Sequence, residues 1–411
     1  MRKLIGQMPR RLGSLAVLTL LVSIIALPTS ANAAGTTYTI RVGDDFALGK
    51  GKGVAVMRMF PRSINVQAGD TLNFKSDFHT GTALPMGTDL QDWIANNASQ
   101  FGQPYNFIAP DTDNSESGTA FNNSVFFPSD ASCGTAANPC SYDGSSLINS
   151  GLLFEYIDFS QSPPVNNGFS MTVANSLNPG DHFWVICLVH TLMTLKVNVV
   201  GSPGEATTQA DIDSEHNAAM ARAKTDAAGL WNRLNNRQTT STYKGKTVVD
   251  AYAGFDSGVL ELFGMFPNVI HLKPGQSVLW HFGQLMYEPH SVVFPANTAQ
   301  RISNGPPPSC EAADGTDSPP TGIDPNTGFP TCDPGSTVEI ELDPRLLLQQ
   351  GNAKVTSTSD YANSGARGGS LNPPLGDGSY VLQFPKASPR RGFRYACGVH
   401  GKEMLGVVYV G

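Results

Sequence analysis

The stretches "FWVICLVHTLMTLKVNVVG" (183–201) and "FRYACGVHGKEMLGVVYVG" (393–411) share one order: an aromatic residue, apolar residues, Cys, two residues, His, Met, then an alternating run ending in Gly. A pattern written twice marks an internal duplication, and the duplication continues upstream. "MFPRSINVQAGDTLNF" (59–74) matches "MFPNVIHLKPGQSVLW" (265–280), and "NSG" recurs at 149–151 and 363–365. Gly168 and Gly378 each precede the cysteine of their copy by 19 residues, and 108 residues separate His79 from Cys187 where 107 separate His290 from Cys397.

Each copy is built from short runs rich in Val, Ile, Phe, Thr and Tyr, punctuated by Gly, Pro, Asn and Asp: "INVQAGDTLNF", "VIHLKPGQSVLWHF", "FSMTVANS", "YVLQFPK" and "MLGVVYVG". Such runs read as strands and turns. Many short strands in a unit of about 170 residues predict an all-β fold of two tandem Greek-key β-sandwiches. Between the copies, "EATTQADIDSEHNAAMARAKTDAAGLWNRLNNRQ" (205–238) spaces Ile212, Ala219, Ala223, Ala227, Leu230, Trp231 and Leu234 at helical intervals. This predicts a helical connector whose Leu230 and Trp231 side docks on the sandwiches, with His216 on its solvated face. The expected organisation is a signal peptide at 1–33, a first domain at 35–201, the connector at 202–240 and a second domain at 241–411.

The chain has 411 residues, 40% of them hydrophobic, enough for a sizeable core in each unit. Its start carries a basic head (Arg2, Lys3, Arg10, Arg11), an apolar run from Leu15 to Leu27 and the small-residue pattern Ala31-Asn32-Ala33. That is the form of a cleaved secretory signal, too short for a comfortable membrane span and without a cysteine for lipidation. Arg10-Arg11 also fits twin-arginine export. Cleavage would leave 23 basic against 34 acidic residues, a charge of −11. A secreted or periplasmic protein of that charge is not expected to bind nucleic acid or an anionic membrane surface, nor to insert in a membrane.

Six cysteines in an oxidising compartment suggest three disulfides as the simplest pairing. Two pairs lie within polar, Pro- and Gly-rich loops: Cys133 with Cys140, and Cys310 with Cys332. Cys187 and Cys397 are left over, each in an apolar run followed by a histidine. With the first histidine after each "GD" or "GQ" turn, every copy then offers a thiolate, two imidazoles and a thioether: His79, Cys187, His190 and Met193, then His290, Cys397, His400 and Met404. A trigonal His2Cys set with a weak axial Met is the donor set of a blue copper site. Zinc fits less well, because structural zinc takes Cys and His without Met and catalytic zinc keeps an open position. A coordinated thiol is deprotonated, which keeps it out of disulfides.

The "VQAGDTLNF" strand and turn, the "PHSVVFP" strand and the C-x2-H-x3-M loop of the second copy resemble the cupredoxins, the plastocyanin, azurin and amicyanin group of blue copper proteins. The first copy has the shorter C-x2-H-x2-M loop of amicyanin-like members. The resemblance covers roughly 160 residues in each half and implies two cupredoxin-like sandwiches, each with one type 1 copper. It departs from the compact pattern in the long stretch between first histidine and cysteine. It departs also in having Thr80 and Ser291 after the first histidines, where Asn is common; a hydroxyl there could hold the ligand loop.

The resemblance implies a carrier of single electrons between redox partner proteins. Cys187 and Cys397 would supply the covalent path, Met193 and Met404 would tune the potential, and His190 and His400 would form the solvent-side edge. Two other readings stay open. One is a copper oxidoreductase of the multicopper oxidase or nitrite reductase type, with an additional centre between domains or subunits built from His182, His271 or His281. The other is a copper-binding module without redox work. Against an enzyme stand Ile186 and Ala396 directly before the cysteines, where linked copper enzymes carry a ligand histidine, and the lack of any His-x-His.

Overall fold

The computed structural model describes residues 35–100, 102–110, 119–154, 168–283, 288–303, 308–323, 330–339, 343–368 and 379–411. The signal sequence expected at 1–33 and the landmark Gly378 lie outside them.

Alternation of apolar and polar residues builds the strands as expected. In Thr194–Val199 the side chains of Leu195, Val197 and Val199 are buried while those between them are partly exposed, the period of two of a half-buried strand. In the first half, Thr37–Ala47 pairs antiparallel with Gly53–Phe60 and parallel with Thr71–Lys75, which pairs antiparallel with Phe169–Val173. A second sheet runs Ile148–Asn149, Thr82–Ala83, His182–Ile186, Thr194–Val199, Ser63–Val66. Between them lies a core that includes Ile40, Leu72, Phe74, Phe183, Val185 and Val197. The chain changes sheets at the "QAGD" turn, where the Asp70 carboxylate accepts from the backbone N–H of Gln67 (2.7 Å) and of Thr36 (2.7 Å).

The second half repeats the plan. Lys246–Ser257 pairs antiparallel with Leu260–Phe266 and parallel with Ser277–Phe282, which pairs with Ser379–Gln383. The facing sheet runs Val269–Leu272, Gly401–Val410, Phe393–Cys397, Val293–Phe294, Ala362–Asn363, Gln350–Gly351. Trp280, Phe294, Phe384 and Tyr395 fill the space between.

The halves are not joined by the connector alone. Gly53–Phe60 pairs antiparallel with Leu260–Phe266, so one ten-stranded sheet runs through both. Matching Met59-Phe60-Pro61 to Met265-Phe266-Pro267 makes Val54, Ala55 and Val56 the counterparts of Leu260, Glu261 and Leu262. The pairs formed are Val56 with Leu260, Ala55 with Glu261 and Val54 with Leu262. A local twofold therefore passes through the Ala55/Glu261 pair.

The helix Gln209–Asn235 lies over this seam. Thr208 caps it: its hydroxyl accepts from the Asp211 backbone N–H, and the Asp211 carboxylate accepts in return from the Thr208 backbone and hydroxyl. The helix buries Ala219, Met220, Ala223, Ala227 and Trp231 against Val54, Val56, Phe60, Leu260, Leu262 and Phe266, with Leu230 packed beside them. His216 departs from the solvated face expected of it. Its Nε2 lies 2.6 Å from an Asp44 carboxylate oxygen and its ring packs edge-on against Phe60, because Asp44 projects from the adjacent strand. The strand Thr239–Tyr243 follows the helix and joins the large sheet, paired with Lys246–Ser257.

The disulfides Cys133–Cys140 and Cys310–Cys332 are formed, and Cys187 and Cys397 are free thiols in the two cores. Among the described residues no helix is long and apolar enough to cross a membrane.

Candidate metal centres

Cys397 ends the strand Phe393–Cys397 and Cys187 directly follows the strand His182–Ile186, and the histidine three residues on sits in the loop that follows. In the first half that loop closes when the Cys187 N–H donates to the Met193 carbonyl (3.0 Å) and the Met193 N–H to the His190 carbonyl (2.8 Å). The upstream histidine arrives from a neighbouring strand and needs space to do so. Gly43 and Gly254, both at positive φ (+77° and +71°), occupy bulges in the strands beside it. A Cβ on Gly43 would lie 2.5 Å from His79 Nε2, and one on Gly254 2.1 Å from His290 Nε2. The backbone is bent there, and the side chain absent, so that an imidazole can enter.

The result is two clusters, His79/Cys187/His190 and His290/Cys397/His400, whose donor atoms all lie within 4.8 Å of one another. In the first, His79 Nδ1 and His190 Nδ1 are 2.9 Å apart, with Cys187 Sγ 3.8 and 4.0 Å from them. In the second, His290 Nδ1 and His400 Nδ1 are 3.2 Å apart and Cys397 Sγ is 3.6 Å from His400 Nδ1. With metal–nitrogen bonds of about 2.0 Å and metal–sulfur bonds of about 2.3 Å, these spacings suit three donors around one ion. Met193 and Met404 are fully buried in the same cores as the cysteines, and the Met193 methyl lies near Gly43 beside His79.

Electrostatics favour positive charge between the donors. Burial pushes both thiols up, but the flanking imidazoles outweigh it and hold Cys187 and Cys397 well below the usual thiol range. Burial likewise disfavours the imidazolium forms of His190 and His290; Glu288 and Cys187 nevertheless lift His190 to about 10, and Cys397 and Glu261 lift His290 to about 10. This donor chemistry is the fit the sequence reading requires.

Each sulfur accepts two backbone N–H groups: Cys187 from Thr80 and His190 (both 3.4 Å), Cys397 from Ser291 and Val399 (both 3.3 Å). The hydroxyls after the first histidines do hold the ligand loop. Thr80 Oγ1 accepts from the Leu188 N–H (2.8 Å) and Ser291 Oγ from the Gly398 N–H (2.7 Å), the residue after the cysteine in both halves. The repeated "NSG" pins the same segment from the other side. Ser150 Oγ accepts from the Gly81 N–H and Ser364 Oγ from the Val292 N–H, both at 2.8 Å.

Outside the donors the halves differ. His290 Nε2 meets the Glu261 carboxylate at 2.7 Å, both side chains buried; the counterpart of Glu261 in the first half is Ala55. Burial raises the Glu261 carboxyl above its usual range. In the first half it is His190 whose Nε2 faces a carboxylate, and that carboxylate, Glu288, belongs to the second half (3.0 Å, away from the line of a good hydrogen bond). Burial would raise Glu288, but His190, with smaller help from His400 and His79, holds it down to about 2. His400 instead packs against Phe263 (ring centroids 4.8 Å), which also touches both cores.

This overturns one expectation. His190 is not a solvent-side edge: its side chain is 1% exposed and its Nε2 faces Glu288. Leu192 beside it is the exposed residue of that loop. Nor do His182, His271 and His281 gather. His182 is exposed, His271 stacks on Tyr409, and His281 Nε2 lies 2.9 Å from Asp250. Among the described residues the His/Cys clusters are the two above. Sequence reading missed Glu261, Glu288, Gly43 and Gly254. The signal for the acids was a lone charge inside an apolar run, "VLELFGMF" and "LMYEPHSVVF"; for the glycines it was a shared strand position, "VGDD" and "AGFD".

No family model matches the chain, and no curated protein matches it. Solved structures that align over 91% of it include a multicopper oxidase (10% identity, 88% of that chain, TM-score 0.19) and a blue copper oxidase from Nitrosomonas europaea (10%, 86%, 0.17). A copper-containing nitrite reductase from Thermus scotoductus SA-01 aligns over 61% of its own length (13%, TM-score 0.15). TM-scores this low carry no argument about fold or function.

Proposed function

We propose that this is a two-centre copper protein of cupredoxin type that moves single electrons, exported to the periplasm or beyond and serving redox partner proteins. The observation that carries the reading is the pair of buried Cys-His-His clusters, each with a thiolate and two Nδ1 atoms aimed at one point. His79, Cys187 and His190 would hold one type 1 copper, and His290, Cys397 and His400 another, with Met193 and Met404 as weak axial donors. Copper supplies a one-electron couple when bound. The chain supplies the rest: buried donors held by N–H···S bonds and by Thr80 and Ser291 change little in geometry between oxidation states, and the apolar cores exclude water.

The test is a visible spectrum with copper analysis of the wild type, Cys187→Ser and Cys397→Ser. Two coppers per chain are expected, and each variant should lose one, with about half of the intense thiolate-to-copper absorption. Fewer than two coppers in the wild type refutes the two-centre reading.

A second reading is a copper oxidoreductase with a further centre. The buried carboxyl of Glu261, raised by burial and with Asp256 in electrostatic reach, favours it as a proton donor or ligand, and the Glu288 carboxylate between the halves as a ligand. Electron paramagnetic resonance separates the two, because only the enzyme would add a type 2 signal to the blue ones.

A further inference from the structure

His190 is the residue through which the first centre would be expected to meet solvent, yet it meets the second half. Its Nε2 lies 3.0 Å from Glu288 Oε1, with 1% and 12% of the two side chains exposed. Glu288 is two residues before His290, whose Nδ1 belongs to the other cluster. From one imidazole to the next there is thus a single non-covalent step, and the rest is the covalent chain Glu288-Pro289-His290. The His290 backbone is fixed in turn: its N–H donates to the Arg367 carbonyl and its carbonyl accepts from the Arg367 N–H, both at 2.8 Å.

We propose that Glu288 is the link between the two centres, orienting His190 and carrying electron exchange from His190 to His290 within one chain. The proposal rests on the two-centre reading above. With copper held by His79, Cys187 and His190 at one site and by His290, Cys397 and His400 at the other, one electron would pass from the reduced site to the oxidised one, so that oxidation and reduction balance. No bond to carbon breaks and no proton need move. A carboxylate on the outer nitrogen fixes the ring and its tautomer, so that Nδ1 is free for the ligand position.

The experiment uses the full copper-loaded chain, reduced by a substoichiometric electron pulse. The electron should redistribute between the two visible bands, assigned from Cys187→Ser and Cys397→Ser, in a first-order phase whose rate does not depend on protein concentration. Glu288→Ala should bind two coppers, keep both bands and slow that phase by about tenfold or more; Glu288→Gln, which keeps an oxygen facing His190, should stay within a few-fold of wild type. In Cu(I) protein, the His190 Nε2–H resonance should be protected from exchange in wild type and Glu288→Gln and lost in Glu288→Ala. An unchanged rate in Glu288→Ala with both coppers in place overturns the link alone, as does the absence of the phase in doubly loaded wild type. A wild type that binds fewer than two coppers overturns the two-centre reading and the link with it.

Discussion

At the scale of single residues, the donors and what surrounds them were unequally legible. His79, Cys187, His190 and their counterparts could be read because duplication writes them twice, in order, and their chemistry demands those residue types. Glu288 and Glu261 could not, because each is written once and acts on a residue brought near by folding; no local pattern ties 288 to 190. The bulge glycines are the clearest test of how the site is held. Gly254 has φ +71°, and a Cβ there would meet the His290 ring at 2.1 Å, whereas Gly258 has φ +64° with nothing within 4 Å of its Cβ position. Both alanine variants should lose about 1–2 kcal/mol in urea unfolding of the metal-free protein from the left-handed backbone alone. Only Gly254→Ala should displace His290, weakening copper at the second site by roughly 10–100-fold in a titration while leaving the first site's band intact. Equal copper affinity in the two variants would show that the glycine serves the turn and not the imidazole.

Among the elements, the connector shows where pattern reading succeeds and where it stops. Its helical spacing, from Ile212 to Leu234, was plain, and Trp231 is buried as expected. What it covers was not legible, since a helix pattern states that one face is buried and is silent on the partner. The partner strands did carry a hint. "GVAVMRMF" and "LELFGMF" are nearly continuous apolar runs, which strands need when both faces are covered. One face of each meets a sandwich core and the other meets the helix. Trp231 packs edge-on against Phe266 at 4.9 Å, over the seam between the halves. Trp231→Ala should therefore cost about 3–5 kcal/mol in chemical unfolding, more than an exposed connector would allow. Both blue bands should survive at low denaturant, since Trp231 packs on the seam strands and not on the clusters. A loss under about 1 kcal/mol would mean that the helix only tethers the halves.

For the whole molecule, the duplicated sequence predicts two tandem sandwiches joined by a helical connector. The halves also share a sheet. Pairing of Gly53–Phe60 with Leu260–Phe266 was beyond the sequence because a strand's pattern fixes which face is buried but not which edge it meets. The shared sheet removes two exposed strand edges that would otherwise invite aggregation, and it places His190 against the segment that carries His290. It also makes the stability of the halves interdependent, although linked domains often unfold in separate steps. Leu262 is fully buried in the seam and pairs with Val54 of the other half. Leu262→Ala should cost about 2–5 kcal/mol. In the metal-free protein, hydrogen exchange followed by mass spectrometry should show that loss equally in peptides from Thr71–Lys75 and from Ser277–Phe282, one deep strand of each half. Protection lost only in the second half would mean that the seam is an adhesive contact between independently stable sandwiches. Equal loss would make it part of one cooperative core, which holds His190 and Glu288 together for as long as either half is folded.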